Sequence, residues 1–174
     1  MEIPARLETD RLLIRPFKLE DFEGFFGFLT SQKATENLFI SPEERSREGV
    51  KAFFEEIIMS YHSPNPIFAL AVTEKTTGRY VGAMGLTALK DGVSAEAIFI
   101  FLPDYWGQGF ASEAGAEMVS YALDYLMLEK VALFVADENT QGARLAEKLG
   151  MEFEEKVEHR EYPEPVNRYA RYRK

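Results

Sequence analysis

The sequence predicts an α/β fold built on one mixed, mostly antiparallel sheet of six to seven strands with about four helices. Three observations carry that expectation. Short apolar runs joined by tight polar turns crowd together between residues 67 and 102, the pattern of an antiparallel meander. A helix-period segment at 111–128 then leads into a buried-type strand at 131–136, which makes a βαβ crossover. No repeat, low-complexity block or linker interrupts the 174 residues, so one domain over 1–174 is expected.

Each element has its own signal. Leu12-Leu13-Ile14-Arg15, stopped by Pro16, reads as a first strand. Phe22, Phe25, Phe26 and Leu29 are spaced i, i+3, i+4, i+7, which predicts a one-sided helix over 21–29. Ser41-Pro42-Glu43-Glu44 predicts the start of a second helix, with serine at the N-cap, proline at the first position and acids in the first turn. Val50, Phe53, Phe54, Ile57 and Ile58 form its apolar face, and it stops before Ser63-Pro64-Asn65-Pro66. Strands at 67–73, 80–89 and 94–102 are separated by glycine-bearing polar turns. A helix at 142–149 closes on Gly150, and 151–162 with 166–173 reads as a terminal strand pair.

Composition narrows the function. Hydrophobic residues make up 46% and charged residues 28%, which suits a soluble globular chain rather than a disordered one. No apolar run approaches the roughly 18 residues of a membrane span, and residues 1–15 are too charged for a secretory signal. The cytoplasm is the default location. With no cysteine, disulfides and thiolate chemistry are excluded. His62 and His159 stand too far apart to suggest a metal site, so no metal is assigned. The net charge is −9, and because residues 151–174 balance six acids with six bases, the excess lies in residues 1–150. Such a surface repels nucleic acid and attracts cations, and it also serves solubility.

The informative segment is Leu102-Pro103-Asp104-Tyr105-Trp106-Gly107-Gln108-Gly109-Phe110-Ala111-Ser112-Glu113, where a strand enters a glycine turn and then a helix. Diphosphate binding needs several backbone N–H groups pointing one way, and glycine permits both the torsions and the close approach. The helix N-terminus adds attraction of order 0.3–1 kcal/mol per charge. Neither the P-loop pattern nor the dinucleotide fingerprint is present. Gly107-x-Gly109 alone does not distinguish a phosphate cradle from an ordinary turn.

Three wider matches do. The stretch 95–114 resembles the GNAT superfamily of N-acetyltransferases, and within it the RimJ/RimL-like branch with its Trp-Gly-x-Gly-Tyr-Ala-x-Glu-Ala pattern. Residues 7–16, Leu-Glu-Thr-Asp-Arg-Leu-Leu-Ile-Arg-Pro, are similar to the branch's N-terminal strand. Residues 139–151 resemble its Asn-x-x-Ser-x-Arg-x-x-Glu-Lys-x-Gly-Phe segment.

The resemblance implies the GNAT fold, with the central βαβ crossover binding acetyl-CoA. Gly107, Gln108, Gly109, Phe110, Ala111 and Ser112 would hold the diphosphate through backbone amides. The fourth strand would splay from the fifth, and backbone groups of Ile100, Phe101 and Leu102 would pair with the pantetheine amides, as an added strand does. Asn139 would hydrogen-bond the same arm, and Arg144 either meets the CoA 3′-phosphate or, with Lys148, forms a solvated face. Ser112 either caps the helix or touches phosphate oxygens.

Glu96 stands 13 positions before Gly109, where several family members carry a glutamate, and is read either as the general base or as a pairing carboxylate. Gly142 and Ala146 depart from the usual Ser and from the Tyr that protonates the leaving thiolate. The expected activity is transfer of an acetyl group from acetyl-CoA to a primary amine, a protein N-terminus or a small molecule, in a ternary complex. A resistance-type or polyamine acetyltransferase is the alternative among enzymes, and a non-catalytic CoA-binding module the alternative of another class. No nucleic acid or membrane partner is expected, and the chain is either a monomer or a homodimer.

Overall fold

Thr9 opens the structure with a tight hairpin. Its N–H donates to the Leu12 carbonyl, and its hydroxyl accepts from Leu12 N–H, both at 3.0 Å. This turns strand β1 (Leu7–Glu8) back along β2 (Leu12–Arg15), so the sheet gains one strand beyond the six or seven expected. The computed structural model describes residues 1–36 and 40–174. Helices α1 (Phe22–Thr30) and α2 (Arg47–Ser60) follow β2, and then come β3 (Phe68–Glu74), β4 (Tyr80–Ala88) and β5 (Ser94–Phe101). Helix α3 (Phe110–Ser120) crosses to β6 (Lys130–Val135). Helix α4 (Thr140–Lys148), β7 (Glu152–Val157) and β8 (Val166–Tyr172) complete the described residues.

The eight strands form one sheet in the order β1-β2-β3-β4-β5-β6-β8-β7. Every pairing is antiparallel except that of β5 with β6. That parallel pairing is short. It joins Ser94 to Lys130, Ala95 to Val131 and Glu96 to Ala132, and then ends, although β4 stays paired with β5 as far as Phe101. The sheet therefore opens into a V whose vertex is Glu96. Five residues of β5 beyond it, at about 3.3 Å each, give a free edge roughly 17 Å long.

Two apolar layers hold the sheet. On one face, Phe110, Met118 and Val119 of α3 and Ala146 of α4 pack with Leu70, Met84 and Phe101. On the other face, Phe25 of α1 and Val50, Phe54 and Ile57 of α2 pack with Phe17, Ala71 and Ala83. The ring of Phe54 meets Phe17 and Phe22 edge-on at 5.3 and 5.5 Å, so the phenylalanine cluster of residues 22–28 serves helix packing. A buried bidentate pair between Arg15 and Asp21, at 2.7 and 3.1 Å, fixes the entry into α1.

Several boundaries depart from the sequence expectation. Ser41 and Glu44 do form the reciprocal capping pair, but it closes only an isolated turn. Helix α2 begins at Arg47 instead, where the Ser46 hydroxyl accepts from Gly49 N–H at 3.0 Å. The helix expected over 111–128 is α-helical only to Ser120; Tyr121–Tyr125 widens into a π turn capped at Leu126, and Met127 then takes φ 58°. The strand expected over 151–162 stops at Val157. A turn in which Tyr162 N–H donates to the His159 carbonyl takes its place.

Candidate active site

The turn between β5 and α3 is shaped for an anion. Gly107 and Gly109 adopt φ of 74° and 81°, the left-handed region that a residue without a Cβ enters at no steric cost. Among the described residues, no backbone N–H from Gly107 through Ser112 donates to a protein acceptor. The next one, Glu113 N–H, bonds the Gly109 carbonyl at 3.0 Å. Six consecutive amides ending at a helix N-terminus make a nest for phosphate oxygens. The Ser112 hydroxyl is turned inward and donates to the Gly109 carbonyl at 2.9 Å, so it serves the helix start. Gln108 likewise spends its side-chain N–H on the Asp104 carbonyl at 2.8 Å, which leaves only its backbone to the nest.

A brace from the first hairpin holds this turn, and the site residues expected from sequence did not include it. Arg11 Nη1 donates to the Gln108 carbonyl at 3.1 Å, drawing that oxygen away from the nest. Its guanidinium also pairs with Glu113 at 2.6 Å and lies 4.5 Å over the Phe110 ring. Glu113 accepts further from the Thr9 hydroxyl at 2.5 Å and from Arg11 N–H at 3.0 Å. Burial raises the Glu113 carboxyl, but the bonds from Thr9 and Arg11 together outweigh it and hold it below the ordinary carboxylate range. Its folded-state value being depressed, the stability it contributes is present at neutral pH and is lost as pH falls below that range. Glu113→Gln is therefore expected to cost about 1–2 kcal/mol at pH 7 and to lower the melting temperature by about 2–8 °C. The deficit should narrow toward pH 4 in thermal unfolding, and a constant deficit would count against the brace.

The free edge of β5 is offered only in part by the residues expected. Leu102 N–H is spent on the Val81 carbonyl at 3.0 Å, and a Cβ built on Gly82 of β4 would meet the Ile100 carbonyl at 2.4 Å. Backbone direction alternates along a strand, so Ile100 and Leu102 turn toward β4 and away from the gap. The Phe101 carbonyl faces the gap but accepts from Trp106 Nε1 at 2.7 Å. Among the described residues, Phe99, the carbonyl of Ala97 and the N–H of Phe101 remain free on this edge.

Asn139 N-caps α4, its side-chain oxygen accepting from Gly142 N–H at 2.8 Å, which leaves its amide NH2 available. A Cβ on Gly142 would sit 3.0 Å from both Asn139 Nδ2 and Val135 Cγ1, so the absence of serine here has a steric reason. Ala146 is fully buried in the core and faces no cleft. Arg144 is exposed and has no hydrogen-bond or ion-pair partner among the described residues.

At the vertex of the V, Glu96 meets a residue far away in sequence. His159 Nε2 lies 3.3 Å from Glu96 Oε2, and the two side chains are only 11% and 13% exposed. Burial raises the Glu96 carboxyl, and the adjoining His159 opposes that rise; the net direction is upward. Ile98, on the same strand face, is 39% exposed, so the floor beside Glu96 is open. Nothing in the one-dimensional pattern marks His159, which stands among charged residues. Of the loops that the resemblance would put on the acceptor side, at 30–45, 60–66 and 160–167, residues 37–39 lie outside the described residues.

Comparisons with known proteins bear on the family and the fold. A family model described as an acetyltransferase (GNAT) domain matches residues 11–152. An uncharacterized N-acetyltransferase, YoaA of Bacillus subtilis, is 27% identical over 149 residues, covering 85% of this chain and 83% of that protein. The solved ribosomal-protein-S5-alanine acetyltransferase of Vibrio fischeri superposes with a TM-score of 0.80 at 15% identity, covering 98% of this chain and 97% of that one. The spermidine N-acetyltransferase of Vibrio cholerae, solved with CoA and spermine, gives 0.78 at 21% identity over 95% and 97%.

Proposed function

The chain belongs to the acetyltransferase (GNAT) domain family and is an acetyl-CoA-dependent N-acetyltransferase, and on that premise we propose which of its residues hold the donor and move the proton. The observation that carries the reading is the continuity of three features. The nest of free amides at 107–112 leads into the roughly 17 Å edge of β5, and that edge ends at a buried carboxylate.

The diphosphate of CoA lies on the amides of Gly107 to Ser112, and the exposed Arg144 serves the 3′-phosphate. The pantetheine arm pairs with Phe99 and Phe101 N–H on one side and with the Asn139 amide on the other. The thioester then reaches the vertex. There the neutral acceptor amine attacks the carbonyl carbon, so that a C–N bond forms as the C–S bond breaks. Glu96 takes the proton that the amine sheds, and the CoA thiolate leaves and is protonated from solvent. Alignment of amine and thioester supplies much of the rate, since well-oriented neighbours reach effective molarities of about 10⁵–10⁸ M.

The acceptor is a primary amine, either a protein N-terminus or a small molecule, and the cytoplasm is the proposed setting. The net charge of −9 favours an acceptor that carries further positive charge, as a polyamine does. Thiol release from acetyl-CoA, measured against alanine- and serine-starting peptides, polyamines and aminoglycosides, tests the reading. Turnover on at least one class is expected. Tight acetyl-CoA binding with no turnover on any amine would instead mark a binding module.

A further inference from the structure

His159 is absent from the expected chemistry, yet the fold buries it against Glu96. Its ring is fixed from two sides. Phe134 of β6 lies 4.6 Å away at 35°, and Tyr162 meets it edge-on at 5.5 Å. The third constraint assigns its proton. Glu161 N–H donates to His159 Nδ1 at 3.4 Å, so that nitrogen is an acceptor and the ring proton resides on Nε2. Nε2–H therefore points at Glu96 Oε2, 3.3 Å away, and among the described residues Glu96 Oε1 has no partner.

We propose that His159 is a positioning residue for the proton acceptor: Nε2–H holds Oε2 of Glu96, keeps the buried carboxylate ionised, and leaves Oε1 as the atom that takes the amine's proton. This rests on the reading of Glu96 as the base. The physical need is plain, because a carboxylate at the end of a closing gap is otherwise driven toward its neutral form by desolvation. An N–H donor held against Oε2 relieves that pressure. The other titratable groups facing Glu96 are Arg160, Glu161 and Tyr162, all from the same turn. Its register partners on β4 and β6, Thr87 and Ala132, do not titrate. Arg160 and Glu161 oppose one another in sign and pair at 3.4 Å, which leaves His159 as the group that sets the state of Glu96.

The test is a carboxyl ¹³C NMR titration of glutamate-labelled protein, with the Glu96 signal assigned by its loss in Glu96→Gln. In His159→Phe, which keeps the ring packing, the Glu96 midpoint is expected to rise by about one pH unit or more. In His159→Gln, which restores an N–H donor, it should return part of the way. The acid limb of kcat/KM, measured with acetyl-CoA and whichever amine turns over, should move in parallel. An unchanged midpoint in folded His159→Phe would overturn the proposal. Full turnover in Glu96→Gln would instead remove Glu96 as base, whatever the midpoints show, so the two failures are separable.

Discussion

Gly109→Asp is expected to lose acetyl-CoA affinity by at least about 100-fold, or about 2.7 kcal/mol, while the protein stays folded. The conformational reason comes first. Gly109 sits at φ 81°, where a side chain is strained, although aspartate tolerates left-handed backbone better than most residues. The space is there, since a Cβ would meet only Arg11 Nη2 at 3.5 Å and Ser112 Oγ at 3.9 Å. Folding therefore survives, at a cost of about 1–2 kcal/mol. Binding does not. The new carboxylate stands among the free amides of residues 107–112, competes for their hydrogens and repels the incoming diphosphate. Calorimetric titration with acetyl-CoA measures this, with circular dichroism as the folding control. Retained affinity in a folded variant would show that the diphosphate lies elsewhere.

Glu96→Gln is expected to lower turnover by about 10²–10⁴-fold with acetyl-CoA binding unchanged. Glutamine keeps the shape and the contact with His159 Nε2, and removes only the capacity to take a proton. In the native protein the Glu96 carboxyl is raised by burial, so activity should fall as pH drops through that raised value, and the variant's profile should be flat there. Stability has the opposite sign. A carboxyl raised in the folded state favours folding while it is protonated, and that benefit fades as pH rises from the ordinary carboxylate range to the raised value. The glutamine variant should accordingly be at least as stable as the parent at pH 7. A variant that turns over normally would leave alignment alone as the source of rate.

The glycine turn before α3 and the crossover around it were legible in the sequence because they are local. Gly107 and Gly109 announce unusual torsions, and a helix period from about residue 111 announces the N-terminus that the structure places at Phe110. The meander of β3, β4 and β5 was legible for the same reason, each strand being followed by its own turn residues. Ser41 shows where local signals stop. It forms the cap its sequence promises, yet the following turn breaks and Ser46 starts the helix instead, since the choice between two adequate caps falls to packing against α1 and the sheet.

Contacts between distant segments were beyond the sequence. Arg11 lies 102 positions from Glu113, and Glu96 lies 63 from His159. Which backbone groups of β5 stay free depends on the pairing of Leu102 with Val81 and on where β6 diverges, and neither is written in the residues of β5. By itself, then, the sequence determined the strand-turn-helix cradle and the family's order of elements, because torsional preference and periodicity act over a few residues. The tertiary structure alone decided what braces that turn, which edge of β5 stays open and what stands beside the carboxylate. Those depend on how far the sheet splays and how the chain folds back, which the packing of whole elements sets.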